Sequence, residues 1–481
     1  MKRLLSINPG WWLTIATASF LFLPGLFREG MFIDGIFYAI LSRNLAAGQG
    51  GFWTLFFSET YEPIFYAHPP LMMALESLFF RVLGEAYWVE NLFGLSLFIA
   101  SALVIVQIWK LVFPQWRSSA WLPLLAWMIV PQVFWSFGNN MLENMLSLWT
   151  LLACWAVLKA QLQPAWWLRG GMLAGIFCLL ALHTKGPVGL FPLAIPLWWA
   201  LSQRRKWQQA ILTTGLIFIL FLLTAFVLSY WQEAARFWEG YFTKQVVRSL
   251  NGQLATEQSR FFLLRRTLEE LLPSLGLCTL LGLLNWRSWR AQSIPWRRVI
   301  FFLGIGLSAS LPLLLSPKQR DFYLVPAFPY FAVGMSALVL DAWQRGRERW
   351  TRFENPVRWV GMAMLLGAII FSVPPWGTPK RDQQTLMQAH EIGKIVPRRE
   401  IVHICRAMER RFSLRWYLNR YYQQSQDHRM RDEYEYFLVQ APCPEFPEGE
   451  FTLVWSDGPI QLWQRKPNAP ESPSPPAAMP N

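Results

Sequence analysis

The sequence lacks most signatures of nucleotide-driven chemistry: it shows no internal repeat, no P-loop, no dinucleotide fingerprint, and no HExxH or CxxC pair. Energy from a nucleotide is therefore not indicated. Cysteine is scarce, with five in 481 residues, and charged residues make up only 15%. Cys154, Cys178 and Cys278 fall inside apolar runs, where a thiol acts as a small packing residue. Cys405 and Cys443 have the option of pairing if their segment is extracytoplasmic, which spacing alone does not decide. Nothing at the N-terminus reads as a cleavable signal, since Met1-Lys2-Arg3 leads into a long apolar segment without a small-residue cleavage site.

What is present in excess is apolar and aromatic surface. At 53% hydrophobic and 16% aromatic residues, the chain exceeds what a soluble core of this length needs. The apolar runs approach the roughly 20 residues a helix needs to cross a bilayer, and about eleven are countable. They lie near 11–27, 87–109, 119–137, 140–159, 170–184, 186–201, 209–230, 262–285, 299–316, 322–341 and 357–374. The expected fold is an all-α polytopic membrane protein with amphipathic helices in the first outer loop and a small C-terminal α/β extracytoplasmic domain. The expected division is a membrane domain over 1–374, a soluble domain over 375–465 and a disordered tail over 466–481.

Basic residues of short loops gather on the cytoplasmic side. Lys2 and Arg3, Lys110 and Arg117, Lys159 and Arg169, the Arg204-Arg205-Lys206 run, Arg287 to Arg298 and Arg345 to Arg358 all fall on one side of an eleven-span arrangement. The N-terminus is then cytoplasmic, and 28–86, 138–139, 231–261, 317–321 and everything after 374 face the other compartment. The net charge of +14 follows from this bias and from anionic headgroups, so nucleic acid is not an expected partner.

In the last hundred residues, "EIVHIC" (400–405), "YEYFLVQ" (434–440) and "FTLVWSDGPIQLWQ" (451–464) read as strands, with Ser456-Asp457-Gly458 at a hairpin turn. His390 and His403 read as ordinary surface or core residues there.

The first outer loop is about sixty residues long, beyond a simple connection. In "FIDGIFYAILSRNLAAGQGGFW" (32–53) a helix puts Asp34 and Tyr38 on one face, with Arg43 about half a turn round. An N-cap role is the structural alternative for Asp34. "YEPIFYAHPPLMMALESLFFRVLG" (61–84) sets His68 before Pro69-Pro70, where proline can open an amphipathic, interfacial helix. Glu143 sits near the outer end of the fourth span, and Lys185 marks the break between the fifth and sixth. Ionisable groups near membrane depth usually face a protein interior or a water-filled cavity. The alternative for Lys185 is a snorkelling side chain at a helix end. Lys318 and Arg320 lie between two apolar runs, and Arg248 lies in the long 231–261 loop. The expectation is that these charges converge with Asp34 and His68 at one interface.

Five short motifs in order carry a resemblance: Asp34-x3-Tyr38-Ala39-x3-Arg43-Asn44, "HPPL" (68–71), Glu143-Asn144, "TKGPVGLFPL" (184–193) and "SPKQRDFYLVPAFPYFA" (316–332), which holds Tyr323. The chain resembles the polytopic glycosyltransferases of the GT-C fold that use polyprenyl-phosphate sugars, the superfamily of protein O-mannosyltransferases and lipid A aminoarabinose transferases. The resemblance implies a catalytic base at Asp34 and a lipid phosphate held by Lys185, Lys318 and Arg320, with Arg248 as a further candidate. Tyr38, Arg43, His68 and Tyr323 are supporting candidates. Glu143 is open between a second carboxylate near the acceptor and a group that orients Arg43 or His68, and Asp321 is a candidate to orient Lys318 and Arg320. Many members carry Asp-Glu where this chain has Asp34-Gly35, and some carry Glu-Lys where it has Ala67-His68. A loop histidine proposed as a metal ligand in some relatives matches Gln245, so no metal is predicted.

The implied activity is an inverting transfer of a hexosyl or pentosyl group from a polyprenyl-phosphate carrier to a hydroxyl or phosphate of a lipid, protein or glycan. It would take place at the periplasmic face of a bacterial inner membrane. A transporter or flippase would line a path with charges along several spans and carry a repeat, and a non-catalytic lipid binder is the third alternative.

Overall fold

The computed structural model describes residues 8–204, 207–253, 259, 261–287, 293–429, 434–444 and 446–467. Lys2, Arg3, Arg205, Lys206, parts of the 231–261 and 287–298 loops, and the tail from 468 onward lie outside the described residues. The chain forms two compact units. One takes 8–28, 52–54 and 66–378, and the other takes Glu29–Gly51, Leu55–Phe65 and the chain from Pro379 onward.

The first unit is helical. Among the described residues, eight helical stretches are long and apolar enough to cross a membrane: Val89–Val112, Leu142–Leu162, Pro164–Gln203, Trp207–Ser229, Phe262–Leu284, Trp296–Leu315, Asp321–Gly346 and Thr351–Ser372. The expected spans 170–184 and 186–201 lie in one of these stretches, Pro164–Gln203, which bends at Gly186. The first expected span is the helix Pro9–Leu26, opened by proline and capped by Asn8, whose Oδ1 accepts the Gly10 N–H at 2.9 Å. The expected span 119–137 is two short helices, Trp121–Met128 and Pro131–Phe137. Pro131 supplies the reason, since it offers no N–H to a continuing helix and its ring crowds the preceding turn.

Burial grades these helices. Phe328, Tyr330, Phe331, Ala332 and Val333 of the helix Phe328–Trp350 are buried, which makes it central. In Trp207–Ser229 only Ala210, Thr213 and Ile217 are buried, so a helix apolar all round turns most of its surface outward, as one bordered by lipid does. The helix Leu71–Leu83 follows the two prolines as expected; it buries Met72, Met73 and Glu76 and shows Leu78 and Val82.

The second unit contains a five-stranded sheet. The strands are β1 (Ile401–Ile404), β2 (Ser425–Asp427), β3 (Tyr436–Gln440), β4 (Phe451–Asp457) and β5 (Ile460–Arg465), in the order β2-β1-β3-β5-β4. β1 pairs in parallel with β2 and β3, and β5 pairs antiparallel with β3 and β4. The β4–β5 turn falls at Gly458 and Pro459, with Gly458 at φ +57°. β2 is too short to read as an apolar alternation.

The first loop supplies the helix Ile33–Ala46 to this unit, packed on Phe412–Tyr422. Arg43 is 3% exposed; its Nη1 donates to the Asn419 and Arg420 carbonyls at 2.6 and 2.8 Å, and its Nη2 to Asn44 Oδ1 at 2.6 Å. Those carbonyls belong to the last turn of Phe412–Tyr422, where the Asn419 carbonyl also accepts the Gln423 N–H at 2.8 Å, so a cation there sits favourably at the negative end of the helix dipole. Phe37, Phe57 and Trp416 complete the seam, with ring centroids 4.3 Å (Phe37–Phe57) and 4.8 Å (Phe57–Trp416) apart. Cys405 and Cys443 are joined in a disulfide, with their Cα atoms 6.1 Å apart.

Candidate active site

In the first unit, His68, Glu143, Lys185, Lys318 and Tyr323 line one cavity of about 210 Å³. Its walls come from separate parts of the chain, and each is placed by a local feature. Glu143 lies in the first turn of Leu142–Leu162, where the helix dipole favours a carboxylate, and Lys185 lies in the last turn of Trp167–Lys185, where it favours a cation. The helix stops after Lys185 because Gly186 adopts φ +74° and Pro187 follows. A Cβ at Gly186 would collide with the Tyr241 hydroxyl, so glycine is required here twice over.

The Lys185 ammonium and the Glu143 carboxylate form an ion pair, with side chains 10% and 1% exposed. The same ammonium lies 4.4 Å from the centre of the Tyr323 ring, a cation–π contact. Glu143 pairs with Lys185, and Arg43 belongs to the second unit. Asn144, next along, ties the preceding turn, its Nδ2 donating to the Ser136 carbonyl at 2.9 Å and its Oδ1 accepting from Ser136 Oγ at 2.7 Å.

Among the described lining residues there are two lysines and one glutamate, a cationic balance. His68 does not add to it: burial, with Lys185 and Lys318 nearby, holds its imidazole well below its usual range, so it is neutral at pH 7. A neutral imidazole beside two ammonium groups suits an anionic guest with hydrogen-bonding oxygens.

The remaining candidates are distributed differently. Arg320 and Arg248 are exposed and do not line the cavity, and Arg248 Nε donates to Gln253 Oε1 at 3.2 Å. Asp321 does not orient Lys318 and Arg320. Its Oδ2 is 3.7 Å from Arg266 Nη2, and its Oδ1 accepts the Phe322 N–H at 3.0 Å, at the start of the turn that carries Tyr323. Arg266 also pairs with Glu270, whose Oε2 accepts the Gln132 N–H at 2.8 Å in the first turn of Pro131–Phe137. Asp34 and Tyr38 are in the second unit on Ile33–Ala46, Asp34 half-buried and Tyr38 buried. The N-cap of that helix is Phe32, so Asp34 is not the capping residue.

Tyr241 and Ser249 line the cavity although no motif selects them. With Gln245 they recur at every fourth residue, which is the spacing of one helical face and the signal that finds them. They sit on a helical segment that passes through a π-helical turn at Phe242–Val247, a feature frequent at functional sites. Tyr241 packs with Trp53, Ala234 and Phe237 in an apolar cluster that anchors the segment.

A divalent cation does not suit this cavity. Among the described residues, the one carboxylate that lines it, Glu143, is paired with Lys185, and two ammonium groups would repel a further cation. Among the described residues, no three His, Cys, Asp or Glu side chains form a cluster able to hold a metal.

Residues 67–231 match the family model described as dolichyl-phosphate-mannose-protein mannosyltransferase. A crystal structure of ArnT from Cupriavidus metallidurans bound to undecaprenyl phosphate superposes with a TM-score of 0.67 at 14% identity, covering 95% of this chain and 98% of that one. Its apo form gives 0.60 at 15% identity, covering 94% and 97%. The archaeal oligosaccharyltransferase AglB from Archaeoglobus fulgidus, in complex with an inhibitory peptide and a dolichol-phosphate, gives 0.50 at 11% identity, covering 89% and 69%. The comparison with curated proteins gives no sequence match. The fold defines a class, the multi-pass membrane proteins of GT-C architecture with a small C-terminal sheet domain. Within that class the fold is ArnT-like along nearly the whole chain.

Proposed function

We propose that this protein is an inverting glycosyltransferase that moves a sugar from a polyprenyl-phosphate carrier to a hydroxyl or phosphate acceptor on the extracytoplasmic face of a bacterial inner membrane. The observation that carries the reading is the cavity holding Lys185, Lys318 and neutral His68, joined to an ArnT-like fold whose solved member binds undecaprenyl phosphate.

The chemistry asks for these residue types. As the bond from sugar to lipid phosphate breaks, negative charge grows on the leaving phosphate. Fixed ammonium groups in a site screened from water stabilise that charge more in the transition state than in the ground state. Lys318 and Lys185 take that role. Glu143 holds Lys185 in place until the phosphate arrives, and the Tyr323 ring face supports the ammonium. Asp34 is the general base that accepts the proton of the attacking hydroxyl, an assignment resting on the resemblance of the Asp34-to-Asn44 motif. A single displacement at the anomeric carbon inverts its configuration. The Cys405–Cys443 disulfide supports an oxidising compartment for the second unit, in line with the basic-residue bias of the loops.

The test is sugar release from radiolabelled polyprenyl-phosphate sugars by the protein in lipid, with Lys185→Ala and Lys318→Ala beside the parent. Turnover by the parent and weakened donor binding in both variants support the reading; carrier binding with no turnover of any donor would favour the non-catalytic reading.

A further inference from the structure

The second unit holds its own cavity, of about 270 Å³, walled in part by Ile33, Thr385, Gln388, Arg410, Arg411 and Phe412. Among the described residues, its cations have no paired carboxylate. Arg410 is exposed, and among the described residues no hydrogen bond or ion pair engages it. Arg411 Nε donates to Gln440 Oε1 at 2.9 Å, which fixes that guanidinium while its terminal nitrogens stay without a partner among the described residues. The acidic neighbours are committed elsewhere. Glu409 Oε1 lies 3.2 Å from His428 Nδ1, and Asp457 Oδ2 accepts from Gln388 Nε2 at 2.8 Å and Gln384 Nε2 at 3.4 Å. Among the described residues, no carboxylate lines the cavity.

Aromatic surface adjoins the charge. Phe412 remains 38% exposed while its ring packs on Trp416 at 5.5 Å, so the ring is held in place and part of it is open. A guanidinium pair recognises an oxyanion through charge-assisted hydrogen bonds, and a fixed aromatic face receives the apolar side of a sugar ring. Ile33, which supplies another wall, immediately precedes Asp34 on the helix Ile33–Ala46.

We infer that this cavity binds the acceptor through an oxyanion carried on a sugar, a phosphate monoester or a carboxylate, with Arg410 and Arg411 on the oxyanion and Phe412 on the ring. The acceptor is then an anionic glycan, free or as a lipid headgroup, and the neighbouring Asp34 meets one of its hydroxyls. The acceptor assignment rests on the transferase reading, whereas binding of the anion does not.

The test titrates the full chain in lipid nanodiscs, by calorimetry, with N-acetylglucosamine 1-phosphate, glucuronic acid and neutral N-acetylglucosamine. Both anions are expected to bind at least tenfold more tightly than N-acetylglucosamine. Arg410→Gln combined with Arg411→Gln is expected to remove that advantage, while Arg399→Gln, an exposed arginine elsewhere in the unit, is expected to keep it. Charge reversal by Arg410→Glu, at an exposed side chain without a hydrogen bond or ion pair among the described residues, should act in the same direction. Equal binding of neutral and anionic sugars, an undiminished advantage in the double variant, or the same loss in Arg399→Gln overturns the site.

A transfer assay with a phosphorylated glycolipid and its dephosphorylated form separates the two readings. Turnover of donor with equal transfer to both forms sinks the acceptor assignment and leaves the transferase standing. Anion binding that depends on Arg410 in a protein that turns over no donor does the reverse.

Discussion

The Lys185 ammonium is paired with the Glu143 carboxylate, the two side chains 10% and 1% exposed, and it rests over the Tyr323 ring at 4.4 Å. A buried pair of this kind adds little net stability when intact, but losing one partner strands a charge. Glu143→Gln is therefore expected to lower stability by about 3 kcal/mol. Polyprenyl phosphate should restore part of it, since its anion meets the stranded ammonium and binds only the folded state. The check is thermal unfolding with and without the lipid; equal shifts in parent and variant would contradict the arrangement.

Cavity lysines and exposed arginines should part company. A charge-assisted hydrogen bond is worth about 1.5 to 3 kcal/mol, so Lys318→Ala should weaken polyprenyl-phosphate binding by about tenfold or more. Arg320→Ala and Arg248→Ala, both outside the cavity, should change it by less than about threefold, a rim-charge effect screened by salt. Fluorescent-lipid competition in nanodiscs measures all three.

His68 gives a pH signature. Its folded-state pKa is depressed by burial and by Lys185 and Lys318, so below the ordinary value of 6.5 the unfolded chain binds the proton that the folded chain refuses. Stability rises with pH wherever the unfolded state holds more protons. The contribution is thus fully present above about pH 6.5 and is lost as pH falls below it. In His68→Gln, the drop in melting temperature between pH 7.5 and 5.5 should shrink relative to the parent.

Glu270 and Glu269 separate a buried acidic residue from an exposed one on the same helix. Glu270 is 4% exposed and receives both Arg266 and the Gln132 N–H, whereas Glu269 is 40% exposed. Glu270→Ala should cost about 3 kcal/mol in unfolding free energy. Glu269→Ala should cost about 1 kcal/mol or less. Because Arg266 also reaches Asp321 ahead of the turn that carries Tyr323, Glu270→Ala should weaken donor binding as well.

The Cys405–Cys443 bridge closes a separation of 38 residues, which corresponds to about 4 kcal/mol by loop-closure entropy. Reduction, or Cys405→Ser with Cys443→Ser, should lower the unfolding temperature of the second unit with little effect on donor binding in the first. Differential scanning calorimetry with and without reductant reads the shift.

Hydropathy length made most membrane helices legible, as for Val89–Val112 and Phe262–Leu284, because crossing the hydrocarbon sets a minimum run of apolar residues. Pro131 was the visible warning that 119–137 is not one helix. The cavity was legible at Lys185, Glu143, His68 and Lys318, since charges in apolar surroundings stand out. Which charges pair was not, because Glu143–Lys185 and Arg266–Asp321 join residues 42 and 55 positions apart and no local spacing encodes such a contact. Arg43 shows the same limit: besides side-chain oxygens of Asn44 and Asn419 it bonds the main-chain carbonyls of Asn419 and Arg420, and a carbonyl leaves no trace in residue identity. Tyr241 and Ser249 were hidden for the opposite reason, being ordinary residues whose fourfold spacing gains meaning only once the segment is known to be helical.

The most direct test of the central claim is single-turnover release of sugar from a polyprenyl-phosphate donor, comparing the parent with Asp34→Asn and Lys185→Ala in the same lipid. The account predicts turnover by the parent, loss of about a hundredfold or more in Asp34→Asn with donor affinity retained, and weakened donor binding in Lys185→Ala. Undiminished turnover in Asp34→Asn, or unchanged donor affinity in Lys185→Ala, would contradict it.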